Sequence, residues 1–240
     1  MRRPAHRGRS RSVHVLVMAK APVPGTVKTR LCPPCTPEEA AAIAEAALAD
    51  TLHAVAACGA DYKVVALDGQ PGPWLPPGID VIGQHEGPFE DRLAGAWADI
   101  RSATGGWGIQ IGMDTPQITA ALLDAQLASL RAGAERADGR PTGLLGRATD
   151  GGWWLVGLPG TDPHLVFAGV PMSTPSTGVA QARRLRALGL NVAGAPELRD
   201  VDTVDDLRAV IAAVPDSRVG AAGRAALARI AGPTANERVA

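Results

Sequence analysis

Two lysines and an arginine lie close together near the start of the chain, directly after a short apolar run. The run covers residues 13–18, and Lys20, Lys28 and Arg30 follow it around a turn stiffened by glycine and proline. An ammonium group offers phosphate a point charge, and a guanidinium group offers a planar fork for paired oxygens. Open α/β sheets bind their ligands at the carboxyl ends of strands. The stretch therefore predicts a polyphosphate site, and hence a nucleotide site, after the first strand.

The same stretch superficially resembles a P-loop, because Lys28 and Thr29 stand where the lysine and threonine of that motif would be. Val27, however, takes the place of the glycine that precedes the lysine. Pro22 and Pro24 lack the backbone N–H groups that cradle phosphate in a P-loop. A P-loop ATPase is therefore excluded.

Aspartates form the second group of residues that could do chemistry. Asp114 follows a predicted strand, Asp150 opens an Asp-Gly-Gly turn, and Asp200 and Asp202 precede a predicted helix. Mg²⁺ and Mn²⁺ prefer carboxylate and phosphate oxygens, and one or two protein carboxylates are usually enough. Asp114 with either Asp200 or Asp202 would therefore suffice for a metal site. Each aspartate also has a structural explanation, as a turn former or at the start of a helix.

Strands and helices alternate along the chain, as judged from the period of the apolar residues and from capping signals. The predicted strands are residues 13–18, 62–67, 79–83, 107–111, 142–145, 153–158 and 190–193. The predicted helices are residues 36–58, 88–102, 119–131, 176–188, 203–213 and 219–230. This alternation predicts an α/β fold with a mostly parallel central sheet and helices on both faces. In the strand after Asp150, Trp153 and Trp154 must point to opposite faces, so at most one of them can line a cleft.

Composition narrows the function classes and the organisation of the chain. The formal net charge is zero over 240 residues, which argues against a nucleic-acid-binding surface. No apolar stretch is judged long enough to span a bilayer, and the basic N-terminus precedes only about six apolar residues rather than a signal-peptide core. We expect a cytoplasmic protein with a disordered basic tail at 1–12, one domain at 13–213, and a C-terminal helix and frayed tail at 214–240. Nothing in the sequence indicates the oligomeric state.

Cys32 and Cys35 form a single C-x-x-C. No second pair or histidine pattern lies nearby to complete a zinc site, although a predicted helix follows, as in redox motifs. We expect these cysteines to be incidental loop residues.

Taken in order, the motifs resemble those of a little-characterised family. It is the family of GT-A-like glycosyltransferases in the nucleotide-diphospho-sugar transferase superfamily, some members of which are named as arsenosugar-biosynthesis glycosyltransferases. The resemblance covers roughly residues 13–210. Its motifs are the Lys-Ala-Pro to Arg-Leu stretch at 20–31, Gly-Met-Asp-Thr-Pro at 112–116, the Asp-Gly-Gly-Trp-Trp run from 150, Met-Ser-Thr at 172–174 and Asp-Val-Asp-Thr at 200–203. A more distant similarity extends to molybdenum cofactor and 2-phospholactate guanylyltransferases.

The resemblance implies a single Rossmann-like GT-A domain that binds a nucleotide diphosphate with Mg²⁺ or Mn²⁺. It assigns Asp114 to the metal, and Gly25 to a close approach of the backbone to the phosphates. We expect Asp202 to be the second metal ligand. The residues expected to bind the nucleotide and its phosphates are Lys20, Gly25, Lys28, Thr29, Arg30 and Gln84.

The resulting hypothesis is a metal-dependent glycosyltransferase with a nucleotide-diphosphate sugar donor and a small-molecule acceptor. Asp114 and Asp150 are its predicted catalytic residues, Asp150 serving as general base or acceptor-binding carboxylate. One alternative is a guanylyltransferase-like nucleotidyltransferase that acts on a phosphorylated small molecule. A catalytically silent nucleotide-binding protein is the other.

Overall fold

A computed structural model describes residues 12–133 and 139–231. Most of the predicted basic tail and the end of the predicted C-terminal tail lie outside these ranges. A seven-stranded sheet with the order β3-β2-β1-β4-β6-β5-β7 forms the centre of the molecule. Its strands are β1 His14–Lys20, β2 Tyr62–Asp68, β3 Asp80–Gly83, β4 Trp107–Ile111, β5 Thr142–Ala148, β6 Trp153–Pro159 and β7 Asn191–Leu198.

Only β6 runs against its neighbours, pairing antiparallel with β4 and with β5, while the other pairs are parallel. The predicted α/β fold with a mostly parallel sheet is therefore confirmed. The helices are α1 Pro37–Ala57, α2 Phe89–Thr104, α3 Ala120–Gly133, α4 Pro163–Phe167, α5 Thr177–Ala187, α6 Val204–Ala213 and α7 Arg218–Ala231, with a short 3-10 helix at Thr29–Leu31.

Both faces of the sheet are covered, as the alternation along β1 illustrates. Val15 and Val17 pack on the face that carries α1 and α3, whereas Leu16 packs on the face that carries α2, α4 and α5. Successive side chains of a strand point to opposite faces, so an uninterrupted apolar strand requires two apolar layers. A third cluster joins α1 to α6 and α7, in which Val219 and Ala226 of α7 are buried.

Helix α1 begins as the sequence indicates. The side chain of Thr36 accepts a hydrogen bond from Glu39 N, and the Glu39 carboxylate accepts one from Thr36 N, which completes a capping box. The expectation that no stretch is long and apolar enough to cross a membrane needs correction. At 21 residues and a mean hydropathy of 1.3, α1 reaches that length and composition, and 61% of the stretch is buried inside the protein. Its apolar residues are used for packing between the sheet and α7.

The path of the chain through the sheet places two loops side by side. From β1 the chain moves outward to β2 and β3, and it then returns to β4 on the other side of β1. Such a reversal opens a crevice at the carboxyl ends of the two central strands, which is where open α/β sheets bind ligands. The loop with the cations follows β1, and Asp114 follows β4.

Candidate active site

The loop after β1 presents its cations at the crevice. Lys20 is the last residue of β1, has an exposed side chain and makes no ion pair within the described part of the chain. Gly25 adopts a positive φ of 77° in an exposed turn, in which Thr26 N donates to Val23 O. A glycine adopts this conformation without steric cost. The turn brings the chain back towards the sheet at Lys28.

Lys28 joins the loop to both acidic motifs. Its Nζ lies 2.5 Å from Asp114 Oδ2 and 2.8 Å from Asp202 Oδ1, and its side chain is only 8% exposed. Burial of the ammonium acts to lower the pKa of Lys28. The charges and hydrogen bonds of the two carboxylates outweigh this effect and raise the pKa above its ordinary value. Lys28 is therefore a fixed cation held between two carboxylates.

Arg30 and Thr29 lie on the short 3-10 helix that follows, and both are exposed. Arg30 Nη1 approaches Asp202 Oδ2 at 3.4 Å, and 71% of the arginine side chain remains exposed. The guanidinium can therefore reach a ligand without a change in the backbone. The acidic loops are themselves joined, because Val201 N donates to Asp114 O at 3.1 Å.

Gln84 lies just after β3, at the same edge of the sheet. Its Nε2 donates to Ala19 O at 2.7 Å and to Ala66 O at 2.9 Å, which ties together the ends of β1 and β2. Its Oε1 is buried without a hydrogen-bond partner in the described part of the chain. The geometry gives Gln84 a structural task next to Lys20, and the expected contact with a nucleotide remains a prediction.

A cavity of about 220 Å³ opens beside Asp114. It lies between the ends of β1 and β4, the start of α2, the turn between β5 and β6, and the segment before α5. Its lining residues are Met18, Phe89, Leu93, Ile111, Gly112, Asp114, Asp150, Gly152, Trp153, Met172, Ser173, Thr174, Thr177 and Asp200. The cavity therefore brings Asp114 and Asp150 to a common space.

Asp150 occupies the turn between β5 and β6, where its Oδ1 accepts a hydrogen bond from Gly152 N at 2.8 Å. Its side chain is exposed and lines the cavity. The turn is packed closely against the segment before α5. A Cβ on Gly151, which has a φ of 92°, would lie 2.1 Å from Pro175 O. A hydrogen bond from Gly178 N to Gly151 O at 2.8 Å joins the turn to α5, and Asp150, Ser173 and Thr174 line the same cavity.

The sequence offered Asp200 as an alternative to Asp202, and Asp202 was the residue expected at the metal. Asp200 lines the cavity, and its Oδ1 accepts a hydrogen bond from Thr115 Oγ1 at 2.5 Å. Burial and the charge of Asp114 raise the pKa of Asp200 above its usual range, against the opposing effect of the Thr115 hydrogen bond. The spacing Asp-x-Asp indicated a choice between Asp200 and Asp202 without deciding it. In the structure Asp202 faces Lys28, whereas Asp200 faces the cavity.

Trp153 and Trp154 point to opposite faces of the sheet, as the strand alternation predicts. Trp154 is buried in the core and donates from Nε1 to Pro196 O at 2.8 Å. Trp153 lines the cavity and stacks on Phe167, with ring centroids 6.1 Å apart. One aromatic wall is therefore available to a ligand.

One observation shows that the residues present suit a divalent cation. Carboxylate oxygens of Asp114 and Asp202 converge on a single point, because both contact the same ammonium nitrogen. No cluster of three or more His, Cys, Asp or Glu side chains suited to a metal occurs within residues 12–133 and 139–231. A metal here would take one or two protein carboxylates and complete its shell with phosphate oxygens and water, as Mg²⁺ commonly does.

Cys32 and Cys35 are free thiols beside α1, and Cys35 is buried in the cluster that joins α1 to α7. Burial, reinforced by Glu39, raises the pKa of the Cys35 thiol. A raised pKa disfavours the nucleophilic thiolate.

Comparison with known proteins agrees with this description. Residues 40–174 match the family DUF2064, described as uncharacterized proteins conserved in bacteria. A proposed nucleotide-diphospho-sugar transferase from Desulfovibrio desulfuricans G20 has a similar structure, with a TM-score of 0.78 and 24% identity over 91% of this chain and 96% of that one. A homologue of Mycobacterium tuberculosis Rv0371c, from Mycobacterium sp. strain JC1, aligns at a TM-score of 0.50 and 22% identity, over 84% and 96% of the two chains. No curated protein matches the sequence. These likenesses confirm the predicted fold.

Proposed function

We propose that this chain, which belongs to the DUF2064 family of uncharacterized bacterial proteins, is a metal-dependent glycosyltransferase. Its donor would be a nucleotide-diphosphate sugar and its acceptor a small molecule. The observation that carries the proposal is the convergence of Lys28, Asp114 and Asp202 at the crevice between β1 and β4. Cations for a diphosphate and carboxylates for a metal thus lie within one ion-pair network. The name of the similar Desulfovibrio protein also supports this choice of donor.

The donor diphosphate would lie over the loop after β1. Lys20 and Arg30 are exposed there, and Lys28 can exchange a carboxylate for a phosphate oxygen. Gly25 has open space where a side chain would be, which leaves room for phosphate near the backbone. Thr29 is exposed on the same helical turn and could donate its hydroxyl hydrogen. Gln84 would hold the ends of β1 and β2 in place beneath the nucleotide.

Asp114 and Asp202 would hold the divalent cation, Mg²⁺ or Mn²⁺. When bound, such an ion neutralises charge on the diphosphate and so makes the nucleoside diphosphate a better leaving group. Lys28 and Arg30 act on the same charge. Once the diphosphate is bound, these cations are already in place when negative charge develops on the leaving group.

In the proposed reaction an acceptor hydroxyl oxygen forms a bond to the anomeric carbon of the donor sugar. The bond between that carbon and the diphosphate oxygen breaks, and its electron pair leaves with the nucleoside diphosphate. The hydroxyl proton passes to Asp150, whose exposed side chain lines the cavity. Such a positioned base typically contributes a rate factor of about 10² to 10⁴.

Thermal unfolding measured against matched ligands tests the proposal, because a ligand that binds only the folded state raises the melting temperature. The ligands are nucleoside diphosphate sugars and the corresponding triphosphates, each with and without Mn²⁺ or Mg²⁺. We expect metal-dependent stabilisation by at least one nucleotide sugar, lost in Asp114→Asn. It should be retained in Asp205→Asn, which removes a carboxylate on the exposed start of α6.

The outcome separates the three hypotheses. Stabilisation by triphosphates alone would reject glycosyl transfer in favour of nucleotidyl transfer. A nucleotide affinity that changes neither with the metal nor in Asp114→Asn would indicate a catalytically silent binding protein.

A further inference from the structure

Charge is divided across the candidate site. The cations Lys20, Lys28 and Arg30 all belong to the loop after β1. The cavity beside Asp114 has carboxylates from Asp114, Asp150 and Asp200 in its lining, and among the described residues no lysine, arginine or histidine lines it. Lys28 contacts Asp114 from the side of the loop after β1. A donor diphosphate and the molecule in the cavity would therefore meet surroundings of opposite sign.

The guanidinium of Arg92, which lies near Phe89 of the lining, does not alter this division. Arg92 stands one helical turn after Phe89, with its guanidinium carbon 5.3 Å from the centre of that ring. It points towards Asp68 at the end of β2, with Nη1 3.7 Å from Asp68 Oδ2, and it does not line the cavity. Its charge is thus directed to the β2 side of the crevice.

The rest of the lining is apolar, with a hydroxyl-bearing rim. Met18, Leu93 and Ile111 form the inner wall, and Trp153 offers a ring face that Phe167 holds in place from behind. Thr174 Oγ1 is engaged by Ser176 and Thr177, whereas Ser173 is exposed at the rim. An apolar wall with few polar groups is typical of sites that bind the body of a small organic molecule.

We infer that the acceptor bound in this cavity is a hydroxyl compound that carries neither phosphate nor carboxylate. The inference rests on the proposed function and narrows its acceptor class. Lys28 neutralises Asp114 from the loop after β1, whereas Asp150 makes no ion pair within the described residues. A phosphate or carboxylate in the cavity would therefore meet the uncompensated charge of Asp150, and like charges brought close together repel. A neutral or amine-bearing alcohol can place its carbon skeleton on the apolar wall and its hydroxyl group near Asp150.

Matched acceptor pairs test the inference directly. With the donor selected by thermal unfolding, the initial rates of glycoside formation are compared for myo-inositol and its 1-phosphate, and for 2-phenylethanol and its phosphate ester. We expect the unphosphorylated member of a pair to react at least about tenfold faster. Equal or faster reaction of a phosphate ester would overturn the inference. Donor stabilisation that persists alongside that result would leave the proposed glycosyltransferase intact.

A labelling experiment measures the charge of the cavity without any donor. Ser173→Cys places a thiol at the rim, and Ser102→Cys places one on the exposed C-terminal part of α2 as a control. Each variant is treated with a cationic and an anionic methanethiosulfonate reagent, and the unsubstituted protein gives the background from its own cysteines. We expect the cation-to-anion ratio of rates to be about tenfold larger at position 173 than at 102. Equal ratios at the two positions would overturn the inference, whatever the donor.

Discussion

Lys28 Nζ lies 2.5 Å from Asp114 Oδ2, and this contact joins residues 86 positions apart in the sequence. The same nitrogen contacts Asp202, 174 positions from Lys28. In the ligand-free protein, the cation expected to bind phosphate and the carboxylates expected to bind metal therefore neutralise one another. Binding of a metal–diphosphate complex then becomes an exchange of partners, in which the ammonium moves to phosphate as the carboxylates take the metal.

Lys28→Met tests this exchange. Without the ammonium, Asp114 and Asp202 repel each other, so we expect a loss of about 1–3 kcal/mol in the free energy of unfolding when no divalent cation is present. Mn²⁺ alone should then stabilise Lys28→Met more than the unsubstituted protein, because it no longer competes with an ammonium. Nucleoside diphosphate affinity in the presence of Mn²⁺ should fall. Thermal unfolding measures the two effects on stability, and calorimetric titration measures the nucleotide affinity.

Lys63→Met is the control for Lys28→Met, since Lys63 Nζ donates to Ala56 O, in a contact with no carboxylate. It should leave the response to Mn²⁺ unchanged. If Mn²⁺ stabilises both variants equally, the two carboxylates do not form the metal site.

The carboxylates of the cavity differ in their predicted roles. If Asp150 accepts the proton, Asp150→Asn should lower kcat about 10²-fold or more with little change in donor KM. Asp200→Asn preserves the oxygen that accepts the Thr115 hydrogen bond, and we expect it to lower kcat less than about tenfold. Release of nucleoside diphosphate at saturating acceptor is the measurement. The reverse order of effects would assign the base to Asp200.

Local signals explain the parts of the fold that could be predicted. β4 was predicted with the bounds Trp107–Ile111 that the structure shows, because glycines next to the apolar run mark where the strand begins and ends. The Thr36 and Glu39 capping box fixed the start of α1. The opposite orientations of Trp153 and Trp154 followed from the period of a strand.

Short elements, weak local signals and tertiary contacts explain what could not be predicted. Helix α4 has only five residues, too few for an apolar period to show, and starts from a local cap in which Asp162 accepts from His164 N. Strand β7 extends to Leu198 through Gly194 and Pro196, residues that weaken a strand signal and are tolerated because β7 is an edge strand. The different surroundings of Asp200 and Asp202 depend on Lys28, which no local spacing reveals.

The turn that carries Asp150 is expected to tolerate no side chain at Gly151. An alanine Cβ would meet Pro175 O at 2.1 Å at a φ of 92°, so we expect Gly151→Ala to cost roughly 3 kcal/mol or more. Gly25→Ala is the matched control, because it also has a positive φ but open space, and about 1 kcal/mol is expected. Chemical denaturation measures both. Equal losses would show that strain in φ, rather than the contact with Pro175, determines the cost.

A buried histidine should make stability depend on pH. His14 has no exposed surface, and its Nδ1 lies 3.1 Å from Thr104 Oγ1. Burial lowers the pKa of His14 to about 3, against a hydrogen bond with the Trp107 backbone that acts in the opposite direction. Between pH 6.5 and 3, His14 binds a proton in the unfolded chain and does not bind one in the folded chain. The free energy of unfolding therefore falls by about 1.4 kcal/mol per pH unit as pH decreases.

Urea unfolding at pH 7 and pH 5 measures this contribution. His14→Gln removes the titrating group, and it should lose about 2 kcal/mol less over this interval than the unsubstituted protein does. The comparison concerns the change with pH, so a lower absolute stability of His14→Gln does not affect it. His53→Gln replaces an exposed histidine of α1 and should retain the steeper dependence. Parallel pH dependences in His14→Gln and the unsubstituted protein would mean that the folded chain accommodates a charged His14.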